Sequence, residues 1–141
     1  MKRIFGTVAV AVALALCAAS APAAEEAAVA EAKKAAETWL AEVDAGAYGP
    51  SWEHAAELFR KAVTKEGWKQ ALDAARAPLG AVEERKLRSA SFHTELPGAP
   101  DGEYVVIEFD TRFASKAHAV ETITPTRDPD GTWRVSGYYI R

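Results

Sequence analysis

Two carboxylates and two arginines have the charges and positions to form a site: Asp44, Arg76, Arg85 and Glu121. Side chains alternate between the two faces of a strand, so a strand that buries Ile123 also turns Glu121 inward. An inward carboxylate requires a partner, because an unpaired buried charge strongly destabilises a fold. The sequence therefore predicts that Arg76 or Arg85 pairs with Glu121 inside the protein.

The same charged residues admit three interpretations. In the first, an internal ion pair fixes a layer of helices on a sheet. In the second, the four side chains line the mouth of a pocket and bind a small polar ligand. In the third, Glu121 or Asp44 is a catalytic carboxylate with a perturbed pKa beside a cavity. An interior in which Arg85 and Glu121 are paired without a cavity would argue against the catalytic interpretation.

The sequence lacks the motifs of common enzymes and metal sites. It contains no Gly-x-Ser-x-Gly motif and no glycine-rich phosphate loop. His54, His93 and His118 do not have the spacing of a zinc site. The segment 128–131, Asp-Pro-Asp-Gly, predicts a hairpin turn rather than a calcium loop. These absences favour a protein without a catalytic residue, a bound metal or a cofactor.

The elements that position these residues form one α+β domain over residues 24–141. Three segments have the apolar spacing of helices: 25–45, 50–62 and 64–75. Four segments have the alternation of strands: 82–95, 103–113, 117–126 and 132–140. Proline, aspartate and glycine in the turns 99–102 and 128–131 predict two hairpins. The expected fold is a four-stranded antiparallel meander with the three helices packed on one face.

Alternation also predicts which strand residues are exposed. In segment 103–113, Val105, Ile107 and Phe109 are expected on the buried face, and Tyr104 on the opposite face. The buried residues expected in the last strand are Trp133, Val135 and Tyr139. Tyr138 and Ile140 then join Tyr104 on the open face of the sheet. An apolar patch there would bind a partner protein or a second copy of the chain.

Residues 1–23 have the features of a secretory signal peptide. Lys2 and Arg3 precede an apolar run, and small residues end it before a cleavage site after position 23. A lipid anchor at Cys17 is less favoured, because Leu16 occupies a position that requires a small residue. We therefore expect a periplasmic or secreted protein without stable membrane insertion.

Removal of this segment takes away Lys2, Arg3 and the only cysteine, and changes the net charge from −3 to −5. A negative chain is poorly suited to nucleic acids or anionic membrane surfaces, which require basic side chains. Without cysteine, the mature chain also depends on its hydrophobic core for stability.

Four motifs distinguish the mature chain: Trp39-Leu40-x-x-Val43-Asp44, Arg76-x-Pro78-Leu79-Gly80, Asp101-Gly102-x-Tyr104 and Asp130-Gly131-x-Trp133-Arg134-Val135. With these motifs the sequence resembles a secreted bacterial family designated domain of unknown function 4019. The order of elements is similar to the cystatin-like or nuclear-transport-factor-two-like cone, in which a curved sheet wraps helices and often leaves a pocket. The resemblance implies a fold only, since shared folds do not carry function with them.

The favoured hypothesis is a non-catalytic module that binds an envelope protein or a small polar ligand. One alternative is a small isomerase- or hydrolase-like enzyme that uses a pocket between helices and sheet. Another is a structural accessory protein of the cell envelope. A homodimer formed through the open face of the sheet is a further expectation.

Overall fold

The computed structural model describes residues 20–141. Most of the expected signal peptide, residues 1–19, therefore lies outside the described part of the chain. The elements are α1 Ala21–Asp44, α2 Tyr48–Glu53, α3 Glu57–Ala62, α4 Lys65–Arg76, a 3-10 helix Ala77–Leu79, β1 Val82–His93, β2 Tyr104–Phe113, β3 Lys116–Arg127 and β4 Trp133–Ile140. Helices followed by a four-stranded sheet confirm the predicted α+β class.

Helix α1 packs on the sheet because its apolar residues recur at helical spacing. Its buried residues are Ala32, Ala36, Trp39, Leu40 and Val43. The chain turns away at Gly46, whose φ of +76° lies in the left-handed region that glycine adopts without strain. Among residues 20–141, no helix is long and apolar enough to cross a membrane.

The second predicted helix, 50–62, forms two short helices, α2 and α3, separated by residues 54–56. At this break the backbone N–H of Ala56 donates to the carbonyl oxygen of Val135 in β4, at 2.8 Å. Ala56 is fully buried and its backbone is extended. A hydrogen bond to the sheet therefore replaces a helical one, which the sequence pattern alone did not reveal.

The predicted start of the next helix is confirmed. The hydroxyl oxygen of Thr64 accepts a hydrogen bond from the N–H of Gly67 at 3.1 Å, the geometry of an N-cap. Helix α4 then buries Trp68 and Leu72 and ends at Arg76. The helix thus delivers an arginine to the corner between helices and sheet.

The strands form one antiparallel sheet in the order β1-β2-β3-β4, which confirms the predicted meander. Val105, Ile107 and Phe109 of β2 are at most 3% exposed, as alternation predicted. Ile107 lies opposite Ile123 of β3 in the register. Burial of each large apolar side chain contributes roughly 1.5 to 3 kcal/mol, so this face holds the domain together.

A β-bulge in β4 reverses the faces of its last residues. The register shifts between Thr124 and Pro125 of β3, where Ser136 of β4 has no counterpart. One extra residue moves every following side chain to the other face of the sheet. Tyr138 therefore packs against the core, whereas Tyr139 is 57% exposed. The prediction that Tyr139 is buried and Tyr138 exposed is wrong for this reason.

Tyr104 was also expected to be exposed, and this placement is wrong. Its side chain is only 3% exposed. Tyr104 lies opposite His93 of β1 and Thr126 of β3, but the β1–β2 loop folds over it. The phenol donates a hydrogen bond to the carbonyl oxygen of Pro100 in this loop, at 2.5 Å. The loop therefore covers the end of the face that alternation assigned to solvent.

Strand β1 lies at the edge of the sheet, and its many charged residues discourage pairing with other chains. Leu87 of β1 lies opposite the buried Phe109. Its side chain is nevertheless 46% exposed, because an edge position leaves one side uncovered. Charges on the outer face pair across neighbouring strands, as in the 3.1 Å contact between Arg112 and Glu83.

Candidate functional site

The four charged residues predicted from the sequence come together in the fold, and we call them the charged network. Arg85 bridges both carboxylates: its Nε lies 2.7 Å from Oε1 of Glu121, and its Nη1 lies 2.7 Å from Oδ2 of Asp44. Arg76 donates from Nη2 to Oδ1 of Asp44 at 2.9 Å. The predicted pairing of Arg85 with Glu121 is confirmed.

Each member of the charged network comes from a different element. Asp44 is the last residue of α1 and Arg76 is the last residue of α4. Arg85 belongs to edge strand β1, and Glu121 belongs to β3 on the other side of β2. The network therefore ties two helix ends to two strands that are not neighbours.

Glu121 is fully buried, and donors satisfy both of its carboxylate oxygens. Arg85 donates to Oε1 at 2.7 Å and to Oε2 at 3.1 Å. The hydroxyl of Thr111 donates to Oε1 at 2.5 Å, and the hydroxyl of Tyr138 donates to Oε2. A buried charge is tolerated when it is paired and hydrogen-bonded in this way. The carboxylate is arranged for stability rather than for reaction.

The electrostatics of the charged network favour its ionised form. Burial disfavours the charge on Asp44, but hydrogen bonds and charges from Arg85 and Arg76 outweigh it and lower the pKa of Asp44. Burial likewise opposes the charge on Arg85, yet Asp44 and Glu121 raise the pKa of Arg85. Burial, followed by the charge of Glu121, raises the pKa of Tyr138. At neutral pH Asp44 and Arg85 are therefore charged, and the phenol of Tyr138 keeps its proton.

Arg76 is the least satisfied member of the charged network. Its side chain is 5% exposed, and its Nε and Nη1 have no acceptor among the described residues. The Cζ atom lies 5.0 Å from the ring centroid of Phe113, so the aromatic face stabilises part of the charge.

The charged network lies away from five cavities found among residues 20–141, because none of its four residues lines any of them. Its geometry matches the first interpretation from the sequence, an internal ion pair that fixes the helices on the sheet. The residues that line these cavities are the next candidates for a site of chemistry or binding.

A groove of about 460 Å³ lies between α1 and the start of β4, and we call it the α1–β4 groove. Trp39, Trp133 and Val135 belong to its lining and are nearly buried, so they form an apolar floor. Polar side chains that also line it include Glu31, Lys34, Thr38, Glu42, His54 and Arg134. An apolar floor with a few polar groups around it is typical of a small-molecule site.

Glu42 and His54 were not predicted as site residues. Glu42 belongs to the last turns of α1. Its position three residues after the buried Trp39 was the available signal, since such residues are neighbours on a helix surface. His54 gave no signal, because its position follows from the tertiary break between α2 and α3.

Glu42 is only half satisfied by the described residues. The Nδ1 atom of His54 lies 2.5 Å from its Oε1. Its Oε2 is buried and has no hydrogen-bond partner within residues 20–141. The side chain of His54 is 64% exposed, so this pair lies at the surface end of the groove. No group of three potential metal ligands is present among the described residues.

Arg134, another charged residue of the groove lining, already has partners nearby. Arg134 donates to Asp128 and Asp130, each at 2.9 Å. Hydrogen bonds from Arg134, followed by the backbone N–H of Thr132, lower the pKa of Asp130 to about 2. On α1, Lys34 lies one turn from Glu31, where opposite charges attract. The carboxylate of Glu42 is therefore the distinctive polar group of the groove.

The three residues of the predicted partner surface do not share one open face of the sheet. Tyr104 is buried on the outer face, whereas Tyr138 and Ile140 face α4 across a second cavity of about 380 Å³. Tyr138 packs edge-on against Trp39, with ring centroids 5.3 Å apart. Its hydroxyl donates a hydrogen bond to Glu121 of the charged network. The three residues are thus divided between two sides of the sheet.

The family model described as "Protein of unknown function (DUF4019)" matches residues 35–138. This match covers most of the chain, both the charged network and nearly all of the α1–β4 groove, so the chain belongs to that family. No curated protein and no solved structure matches the chain.

Proposed function

We propose that the protein is a non-catalytic module that binds a small ligand in the α1–β4 groove. The observation that carries this proposal is the groove itself, with a floor of nearly buried Trp39 and Trp133 and a half-satisfied carboxylate from Glu42 in its wall. The volume of about 460 Å³ is in the range of small-molecule sites.

We also propose that the protein acts in the periplasm or outside the cell. The support is the leader-like sequence of residues 1–23, with Lys2 and Arg3 before an apolar run. Every residue that lines the α1–β4 groove follows position 23, so cleavage there would keep the groove intact. Fractionation of cells that express the full chain, with N-terminal sequencing of the product, tests this location.

Ligand binding is tested by screening small envelope metabolites against the ¹⁵N-labelled protein. Each of the four tryptophans gives one indole N–H signal in an NMR spectrum. A ligand in the α1–β4 groove is expected to shift the signals of Trp39 and Trp133. Trp52 lies outside the groove lining and serves as an internal control.

A blocking variant completes this test. Thr38→Trp places a large ring in the α1–β4 groove from an exposed position of α1, and is expected to abolish the shifts. Ala41→Trp is the matched control, since Ala41 is exposed on the same helix but does not line the groove. Binding that survives in Thr38→Trp, or a screen without any shift at Trp133, rejects the proposed function.

A small hydrolase- or isomerase-like enzyme is the second candidate, favoured by the contact between His54 and Glu42. A carboxylate that holds one imidazole nitrogen can orient the ring as a general base. A panel of chromogenic esters tests this candidate. Turnover above the buffer rate that is lost in His54→Gln supports an enzyme, and equal rates for both proteins argue against it.

A further inference from the structure

We propose that the ligand of the α1–β4 groove is a small organic cation with an N–H donor, that is, a primary or secondary ammonium group on an apolar body. This inference rests on the proposed function and specifies the chemical class of the ligand. Three features of the groove carry it: an acceptor without a donor, neutralised surrounding charges and an aromatic floor.

The acceptor is Oε2 of Glu42, which has no donor among residues 20–141. Its other oxygen, Oε1, already has His54 at 2.5 Å. A buried acceptor without a donor loses the hydrogen bond that it makes with water in the unfolded chain. The terminal torsion of a glutamate is broad, so rotation about it brings a carboxylate oxygen of Glu42 to a donor in the groove. An ammonium group supplies both the N–H and the opposite charge, which gives the stronger type of hydrogen bond.

The surrounding charges do not favour an anion. Arg134 is occupied by Asp128 and Asp130, with three contacts of 2.9 Å. Lys34 and Glu31 both line the groove, and their opposite formal charges add to zero. Glu42 therefore sets the sign of the ligand charge that the groove prefers.

The floor suits a cation attached to an apolar body. Trp39 and Trp133 are 4% and 6% exposed, and both line the groove. Indole faces carry negative electrostatic potential and attract cations more strongly than other aromatic rings. Val135 adds apolar surface between the polar walls.

Three probes with the same ring test the proposal: 2-phenylethylamine, 2-phenylethanol and 3-phenylpropionate. The amine is expected to bind at least about tenfold more tightly than the alcohol, and the carboxylate most weakly. The indole signals of Trp39 and Trp133 in ¹⁵N NMR titrations measure the three affinities. Equal affinities for amine and alcohol overturn the proposed ligand class.

Two variants assign the effect to one carboxylate. Glu42→Gln keeps the side-chain size and is expected to weaken amine binding about tenfold. The matched control is Glu37→Gln, which removes an exposed carboxylate of the same helix that does not line the groove, and is expected to change affinity by less than about twofold. Amine binding that is unchanged in Glu42→Gln overturns the proposal.

A probe without an N–H group tests the hydrogen bond on the unmodified protein. Phenylethyltrimethylammonium keeps the charge and the ring, and is expected to bind at least about fivefold more weakly than 2-phenylethylamine. Equal binding overturns the requirement for a donor. If other compounds from the screen bind in the groove while the amine does not, only the ligand class is wrong. If nothing perturbs Trp133, the proposed function fails as well.

Discussion

The charged network and the α1–β4 groove each contain a glutamate beside a basic side chain, yet the two carboxylates have opposite surroundings. Glu121 is fully buried and accepts hydrogen bonds on both oxygens from Arg85, Thr111 and Tyr138. Glu42 lies in the wall of a groove, and one of its oxygens has no donor among the described residues. A satisfied carboxylate stabilises a fold, whereas an unsatisfied one at a cavity is available to a ligand.

Among the variants that test this contrast, Arg85→Met is expected to change the stability of the protein most. It leaves Glu121 buried without its cation, and the free energy of unfolding should fall by about 3 to 5 kcal/mol. Urea unfolding followed by circular dichroism measures the loss. Arg112→Met is the matched control, since that exposed arginine pairs at the surface and its loss should cost less than about 1 kcal/mol. A similar small loss for Arg85→Met would contradict a structural role for the network.

Tyr138→Phe is expected to have the next largest effect, because it removes one donor from buried Glu121. A hydrogen bond to a charged group contributes roughly 1.5 to 3 kcal/mol to stability. Thermal and urea unfolding measure this loss. Tyr139→Phe removes the same hydroxyl from the exposed neighbour, and should leave stability unchanged. If Tyr138→Phe and Tyr139→Phe lose the same amount of stability, the bulge at Ser136 does not orient the two tyrosines as described.

Acid should weaken the charged network through Asp44. The folded-state pKa of Asp44 lies below its ordinary value of 3.8, so its stabilising contribution is complete above that value and is lost as the pH falls through the folded-state pKa. The stability difference between the unmodified protein and Asp44→Asn should therefore narrow as the pH falls below 3.8. Unfolding at pH 6, 4 and 3 measures this difference. The control is Asp73→Asn, which changes an exposed residue, and its stability should stay close to that of the unmodified protein at each pH. If the stability difference caused by Asp44→Asn does not change with pH either, the role of Asp44 is contradicted.

Glu42→Gln should have the smallest effect on stability. The unfolding free energy should change by no more than about 0.5 kcal/mol, because this carboxylate is half satisfied and near solvent. The same urea unfolding experiment measures it. A loss above about 2 kcal/mol would show that Glu42 has a structural role like that of Glu121, and would remove the contrast between the two sites.

Much of the fold followed from local patterns. Alternation predicted the buried face of β2, and turn residues predicted the meander order, because both signals depend on neighbours in the chain. The prediction was wrong at Tyr138 and Tyr139, since one bulged residue, Ser136, reverses every side chain after it. It was also wrong at Tyr104, which a loop covers.

The candidate sites were predictable to different degrees. The sequence predicted that Arg85 pairs with Glu121, because an inward carboxylate demands a cation. The α1–β4 groove was not predicted. It depends on how α1 lies beside the β3–β4 hairpin and on the tertiary hydrogen bond from Ala56 that ends α2 beside Glu42.

By itself, the sequence determined the class of fold, the order of strands and the need for a buried ion pair. These three can be read from residue types and their spacing, because periodicity shows which side chains face inward and an inward carboxylate needs a cation. Only the tertiary structure decided where empty space remains and which carboxylate borders it. Cavities arise between elements that are distant in the chain, and no local pattern records the distance between Glu42 and His54.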